Sequence, residues 1–440
     1  MFYIIETEQQ LQELEHLQYK DVFVHIGPQN NLYHPKLTGV CGVYIRPVGI
    51  KGYFIPVAHT EGFSISIQRI TELLNKFSIK YVIDRKSLLY HINTGNVYDL
   101  SIKNTLSEHQ QLQYDIQDPT IEWFYSRHQD LSNINSIIPI SILVRYCDNL
   151  YQQVSKAITT PIPKGYQFFN TTATNVFYLI EQNGIGVQAN DFVEVYQPNN
   201  PKYNVTTEKA YTRYNLNNVT TRPTNSFNTI NFAAIPKKQK YREAYKPVND
   251  FFVELDFDGY HLRLLAELIG YKIEEQSAHR FLAKKMFNKS SITDEEYKKA
   301  KQINFHAIYG NIPKQYQNIV FFREIKKYIN SLWKDFNDRG YVENPISGVR
   351  FTNKLKDMSP TKLMNYMIQS VETANNVKIL KQVLKYLNNK KSHITLYTYD
   401  SVIIDFDKQD GKQTLQDIEK IMECGGKYPI KANYNTNLVL

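Results

Sequence analysis

Phe251-Phe-Val-Glu-Leu-Asp256-Phe-Asp-Gly-Tyr-His261-Leu-Arg-Leu-Leu-Ala-Glu-Leu268 begins as an apolar run and ends on helical spacing, so it reads as a strand over 251–257 entering a helix over 260–270. Asp256 stands where the strand ends. A carboxylate taken out of water there is costly unless a cation or hydrogen bonds compensate it, which makes a metal one reading. The other is a helix N-cap, for which Asp258 is at least as good a candidate. A second carboxylate has a similar setting far along the chain. Leu396-Tyr-Thr-Tyr399-Asp400-Ser401-Val-Ile-Ile-Asp405-Phe406 has the pattern of two strands meeting at a tight turn with Asp400 at its tip, although Asp is also a common turn former. Between the two lies Lys301-Gln-Ile-Asn-Phe305-His-Ala-Ile-Tyr309-Gly310, a helical stretch on which Lys301, Phe305 and Tyr309 share one face. Two carboxylates on neighbouring strands form a site for two divalent cations. An ammonium above two rings suits a nucleoside triphosphate, and such a face also suits packing against a neighbouring domain. The constellation points to nucleotidyl transfer.

Outward from these segments, residues 1–100 alternate β-branched runs (Val22–Ile26, Gly42–Arg46, Gly52–Pro56, Tyr81–Ile83) with an amphipathic helix at Ile65–Phe77, which predicts an α/β unit on a sheet. Residues 105–165 read as helical up to the breaker Thr159-Thr-Pro-Ile-Pro-Lys164, a predicted domain boundary. A helix over Thr174–Gln182 closes at Asn183-Gly184. Residues 190–225 are polar, with few apolar anchors, and read as a long connection or a remnant of something larger. Further helices are expected at 277–287, 293–309, 320–339, 360–387 and 413–423, with a hairpin at 394–406.

A net charge of +9 makes a polyanionic partner plausible. The three cysteines, Cys41, Cys147 and Cys424, are far apart and form no CxxC, which argues against a disulfide framework or thiolate zinc site and for a reducing, cytoplasmic setting. No run approaches the roughly 18 apolar residues of a membrane span, so no membrane partner is expected.

The three segments, in this order, resemble motifs A, B and C of the family A DNA polymerases. Asp256-Phe-Asp-Gly-Tyr-His261-Leu-Arg-Leu-Leu-Ala-Glu-Leu is similar to DYSQIELRxxAHL, Ala278–Phe287 to DIHxxTAxxVF, and Glu295–Gly310 to RxxxKxxNFGxxYG. Upstream, Thr220-Thr-Arg222 followed by Asn228, Asn231 and Ile235-Pro236 resembles TGRLSSxxPNLQNIP; downstream, Asn365 and Gln369 match an NxxxQ pair. The resemblance implies an α/β and α+β protein: an RNase H-like exonuclease-type domain over 1–165, most similar at Gly52–His59, and a right-hand polymerase palm and fingers over 166–440. It also implies that Asp256 and Asp400 hold two Mg²⁺ ions. Lys301 would contact the triphosphate, Phe305 and Tyr309 the incoming deoxynucleoside triphosphate, and Arg222, Asn228, Asn365, Gln369 and Tyr399 the primer-template DNA.

Departures from the pattern carry expectations of their own. His261 replaces the second motif A carboxylate, which helps exclude ribonucleotides, and an imidazole can still obstruct a 2′-hydroxyl. The motif B arginine falls on Tyr297, leaving Lys298 as a replacement cation, and motif C reads Tyr399-Asp400-Ser401 where the family has His-Asp-Glu. The expected exonuclease DxE pair falls on Ile26 and Pro28, neither of which ligates a cation, so editing is expected to be absent. Leu179–Val187 resembles RIERNGVxI, yet only the mostly polar residues Gln188–Val219 separate it from the TGR-like segment. A thumb largely missing at 188–215 would weaken DNA binding unless a protein partner substitutes. Alternatives are an RNA-synthesising or primase-like enzyme and a noncatalytic DNA-binding subunit.

Overall fold

Strand β2 (Asp21–Pro28) puts Val22 and Val24 on one side and Phe23 on the other, and that alternation sets the layering of the N-terminal unit. In the computed structural model, which describes residues 3–16, 20–225, 227, 230–309 and 312–439, β2 lies in a six-stranded sheet. Its companions are β1 (Tyr3–Ile4), β3 (Val40–Pro47), β4 (Tyr53–Pro56), β5 (Ile79–Val82) and β6 (Val97–Asp99), in the order β1-β4-β3-β2-β5-β6. The β2–β3 and β3–β4 pairs are antiparallel and the others parallel. Helix α1 (Ile67–Lys76) starts at Ser66, whose hydroxyl accepts the Arg69 N–H at 3.2 Å, and buries Ile70, Leu73 and Leu74 in the cluster that holds Val22 and Val24. Helix α2 (Ile140–Thr159) buries Val144, Leu150 and Val154 with Phe23, Tyr44 and Phe54. The expected α/β unit is present, with a helix on each face.

The compact units are Met1–Tyr178 with Asn200–Val205, and Leu179–Asn199 with Thr206–Leu440. The division falls inside helix α3 (Thr174–Asn183), further along the chain than the Pro-containing breaker.

In the second unit, β7 (Phe251–Phe257), β8 (His393–Tyr397), β9 (Ser401–Phe406) and β10 (Ile430–Asn435) form an antiparallel sheet in the order β8-β9-β7-β10. Strand β10 was not legible in the sequence: it is an edge strand whose residues after Ile430 are all exposed. Helices α4 (Tyr260–Leu268), α5 (Ala278–Phe287), α6 (Asp294–Ile308), α7 (Val320–Arg339), α8 (Pro360–Leu387) and α9 (Gly411–Glu423) complete the expected set. Helix α8 is largely buried, with Leu363, Met367, Val371 and Leu380 among its inaccessible residues, while Lys378, Lys381, Gln382 and Lys385 are exposed in its C-terminal half. No described helix is long and apolar enough to cross a membrane.

The 190–225 segment corrects the expectation of a poorly anchored connection. It contains the helix Ala189–Tyr196 and short strands, and Ala210, Tyr211, Tyr214 and Leu216 are buried. Tyr214 Oη donates to the Tyr397 carbonyl at 2.9 Å and accepts the Tyr397 N–H at 2.8 Å, so the segment is fastened to the end of β8.

Candidate active site

Register places the two carboxylates. Asp256 pairs with Ser401 across β7–β9 and with Lys431 across β7–β10, and the Phe257 N–H donates to the Asp400 carbonyl at 3.0 Å. Asp256 and Asp400 line one cavity of about 590 Å³ with Glu254, Thr398, Ser401 and Arg242. Burial pushes the Asp256 carboxyl up to about 7, with the negative charges of Asp400 and Glu254 adding to the shift. The Asp400 carboxyl is raised as well, first by burial and then by Glu372. Asp400 has an exposed edge at the turn, yet the cavity wall displaces enough water around it for desolvation to dominate.

Glu254 lies two residues before Asp256 and therefore on the same face of β7. Ser401 Oγ donates to Glu254 Oε1 at 3.4 Å. A carboxylate absent from motif C is thus present on the adjacent strand. Sequence reasoning missed it, and its signal was the i, i+2 spacing from Asp256. By contrast, Asp405 is structural: fully buried, it accepts the Val248 and Asn249 N–H groups at 2.7 and 2.9 Å.

Asp258 does not cap α4. The cap is Gly259, with a φ of +60° and no side-chain bond, and a Cβ there would meet Ala278 Cβ at 2.9 Å. Asp258 instead pairs with Lys431 Nζ at 2.6 Å and accepts the Ala278 N–H at 3.3 Å, joining β7, β10 and α5. His261, in the first turn of α4, puts Nε2 2.8 Å from Glu372 Oε1 and its ring edge-on to Tyr309, with centroids 6.5 Å apart.

Helix α6 starts in a capping box formed by Thr293 and Glu296 and presents Lys301 and Phe305 to solvent. Tyr309, half-buried just past its end, stands edge-on to Phe305 with centroids 5.6 Å apart, so the expected face is present. Tyr297 lies under Arg280, whose guanidinium carbon is 5.1 Å from the ring centroid. A guanidinium therefore occupies this neighbourhood from α5, whereas Lys298 is exposed. His279 accepts from Asn304 Nδ2 through Nδ1 at 3.2 Å. Burial, then the Lys301 ammonium, depress its pKa to about 4.

Helix α8 supplies the remaining residues. Gln369 Nε2 donates to Asn365 Oδ1 at 2.7 Å, and Asn376 Nδ2 donates to Tyr397 Oη at 2.8 Å and to the Tyr399 carbonyl at 2.7 Å. Buried Glu372 pairs with Arg222 Nε at 2.9 Å as well as with His261. Thr221, at a φ of +59°, donates to Ser370 Oγ at 3.1 Å and aims Arg222 at this helix. Glu372 was not anticipated; nothing local separates it from the other polar residues of α8. Asn228 and Gly310 lie outside the described residues.

A four-stranded antiparallel sheet carrying paired carboxylates, crossed by a buried helix and accompanied by a helix with an ammonium and exposed ring, defines the palm and fingers of a nucleotide-polymerising enzyme. The family model for "DNA polymerase family A" matches residues 191–438, so the chain belongs to that family and is a DNA-directed DNA polymerase. A solved structure, the POL domain of Pol1 from M. smegmatis in complex with DNA primer-template and dNTP, has a similar fold. Its TM-score is 0.67 at 13% identity, over 100% of this chain and 99% of that one. No curated protein matches the chain.

Proposed function

We propose that the chain extends a DNA primer on a template with deoxynucleoside triphosphates by two-metal-ion nucleotidyl transfer and does not excise mismatched ends. The observation that carries this reading is the pair Asp256, near the end of β7, and Asp400, in the turn just before the adjacent β9, which line one cavity and both have raised carboxyls. Divalent ions fit this donor set, because carboxyls raised by burial and by neighbouring carboxylates are relieved by a cation. Among the described residues no three His, Cys, Asp or Glu side chains form a closed metal cage. That suits Mg²⁺, which commonly takes one or two carboxylates and fills its shell with water and phosphate oxygens. Asp256 and Asp400 would hold the Mg²⁺, which would supply Lewis-acid activation of the primer 3′-hydroxyl and neutralisation of charge on the pyrophosphate.

In this reading Lys301 attracts the triphosphate, aided by Lys298 near the start of the helix. Phe305 and Tyr309 cover the base and sugar, with Tyr297 lying further up the same helix. His261 faces the sugar and obstructs a 2′-hydroxyl by volume. Arg222, Asn228, Asn365, Gln369 and Tyr399 hold the primer-template end through backbone and groove contacts, and base pairing supplies sequence choice.

The N-terminal unit has a structural role in this proposal. Ile26 packs against its apolar core, and the Pro28 carbonyl accepts from Asn135 Nδ2 at 2.8 Å, so the two positions of the expected metal pair serve packing and backbone bonding. Within 188–215 the described structure has one eight-residue helix and short strands, which supports a reduced thumb and hence salt-sensitive DNA binding that a protein partner would strengthen.

Primer extension by the purified protein tests the reading. Extension should require Mg²⁺ and disappear in Asp256→Ala and Asp400→Ala; equal extension by both variants would refute the mechanism. His261 supports a second reading, RNA synthesis, and comparison of deoxynucleotide with ribonucleotide incorporation separates the two.

A further inference from the structure

We propose that Glu372 is the positioning residue for sugar selection, fixing the His261 imidazole from α8 and so supplying across space a carboxylate that position 261 lacks. This inference rests on the reading that His261 faces the sugar of the incoming nucleotide.

Glu372 has a side chain only 1% exposed, and its chain neighbours from Ser370 to Ala374 are all buried. A carboxylate in such a place is costly unless partners hold it. Its partners are His261 Nε2 at 2.8 Å from Oε1 and Arg222, with Nε 2.9 Å from Oε2 and Nη2 3.4 Å from Oε1. Arg222 is itself held under Tyr399, whose ring centroid is 3.8 Å from the guanidinium carbon. Simple neutralisation of Arg222 does not account for the arrangement, because Oε1 is shared with an imidazole that no other carboxylate contacts among the described residues.

The pairing fixes the ring. A carboxylate accepts only, so Nε2 carries the proton toward Glu372 and the Nδ1 edge faces away. Tyr309 stands edge-on to the ring, its plane 80° from that of the imidazole. Bonded to Glu372 and flanked by Tyr309, the ring keeps its position when a substrate brings an additional hydroxyl. Released from Glu372, it turns to another staggered rotamer at small cost and the obstruction disappears. Arg222 loses the same partner, but that loss affects both sugars equally and divides out of their ratio.

Single-nucleotide primer extension with matched deoxy- and ribonucleotides, read as the ratio of the two kcat/KM values, tests this. Glu372→Ala and His261→Ala should each lower the ratio by roughly 10-fold or more, and the double variant should lower it no further than either alone. Glu372→Gln, which keeps the volume and an acceptor oxygen, should retain most of the ratio. If Glu372→Ala does not fold, Glu372→Asp, which shortens the reach to His261, should lower the ratio instead. A packing role for Glu372 predicts equal losses for both sugars and an unchanged ratio, and that result would overturn the proposal. Additive effects of His261→Ala and Glu372→Ala on the ratio would also overturn it. A wild-type protein that extends primers with both sugars equally would end the sugar-selection proposal and leave DNA synthesis standing. Failure of the wild type to extend any primer would instead end the polymerase mechanism.

Discussion

The ring of Tyr399 lies 3.8 Å from the Arg222 guanidinium, and Tyr399 reaches that position with a backbone φ of +73°. A bulky residue in the left-handed region is strained by on the order of 1–2 kcal/mol, so surrounding contacts must hold it. The Asn376 amide bonded to the Tyr399 carbonyl is one such contact. The turn that aims the ring is the turn that aims Asp400. Tyr399→Ala should therefore lower kcat/KM for primer extension by roughly 3- to 30-fold, the range of a cation–π contact, while Tyr399→Phe stays near wild type. Equal losses in the two variants would assign the effect to the hydroxyl.

Phe305 is 60% exposed although it is a large apolar residue on a regular helix. Burial does not explain its presence, so removing it should leave the melting temperature almost unchanged. A base or sugar covering the ring does explain it. Phe305→Ala should raise the KM for the incoming nucleotide by about 10- to 100-fold, as loss of base–aromatic stacking does, and Phe305→Tyr should restore it. A fall in melting temperature without a change in KM would make the ring a packing element.

Glu254 contributes negative charge beside Asp256 without closing a metal cage. An added charge a few ångströms away in a partly solvated cavity is worth on the order of 1–4 kcal/mol before water and relaxation reduce it. Glu254→Gln should raise the Mg²⁺ concentration giving half-maximal extension by roughly 3- to 10-fold, with the rate at saturating Mg²⁺ little altered. Magnesium titration of wild type and variant checks this, and loss of rate at every concentration would place Glu254 in the reaction itself.

Asp256, Asp400, Lys301 and Phe305 were legible in the sequence because their signals are local: apolar strands ending in an acid, and spacing of four on a helix. Glu372 was not, because its partner His261 is 111 residues away and nothing local sets it apart from the other polar residues of its helix, such as Asn365, Gln369 and Asn376. The packing of 190–225 was hidden for another reason. Two of its anchors, Tyr211 and Tyr214, are tyrosines, which look polar in composition, yet Tyr214 buries its ring and satisfies its hydroxyl on the backbone of Tyr397. Strand β10 escaped because an exposed edge strand has no alternating pattern to read. The misplaced cap at Asp258 reflects a competing partner, Lys431, that only the sheet brings near.

His279 gives the protein an acid-sensitive element. In the folded state burial and the Lys301 ammonium hold its pKa near 4, and Asn304 donates to Nδ1, which requires the unprotonated nitrogen. In the unfolded chain a histidine titrates near 6.5. Above that pH both states are neutral at this residue and its contribution is constant. Between about 6.5 and 4 the unfolded chain gains a proton that the folded protein does not, so unfolding becomes more favourable as pH falls; below 4 both states are protonated and the dependence levels off. His279→Gln removes the titration while leaving an acceptor for Asn304. The melting temperature of the wild type should therefore fall more steeply than that of His279→Gln from pH 6.5 to 4.5, and the two should run parallel between pH 7 and 8. Parallel curves across the acidic range would show that His279 takes up its proton without unfolding, and would place its folded pKa near the ordinary value.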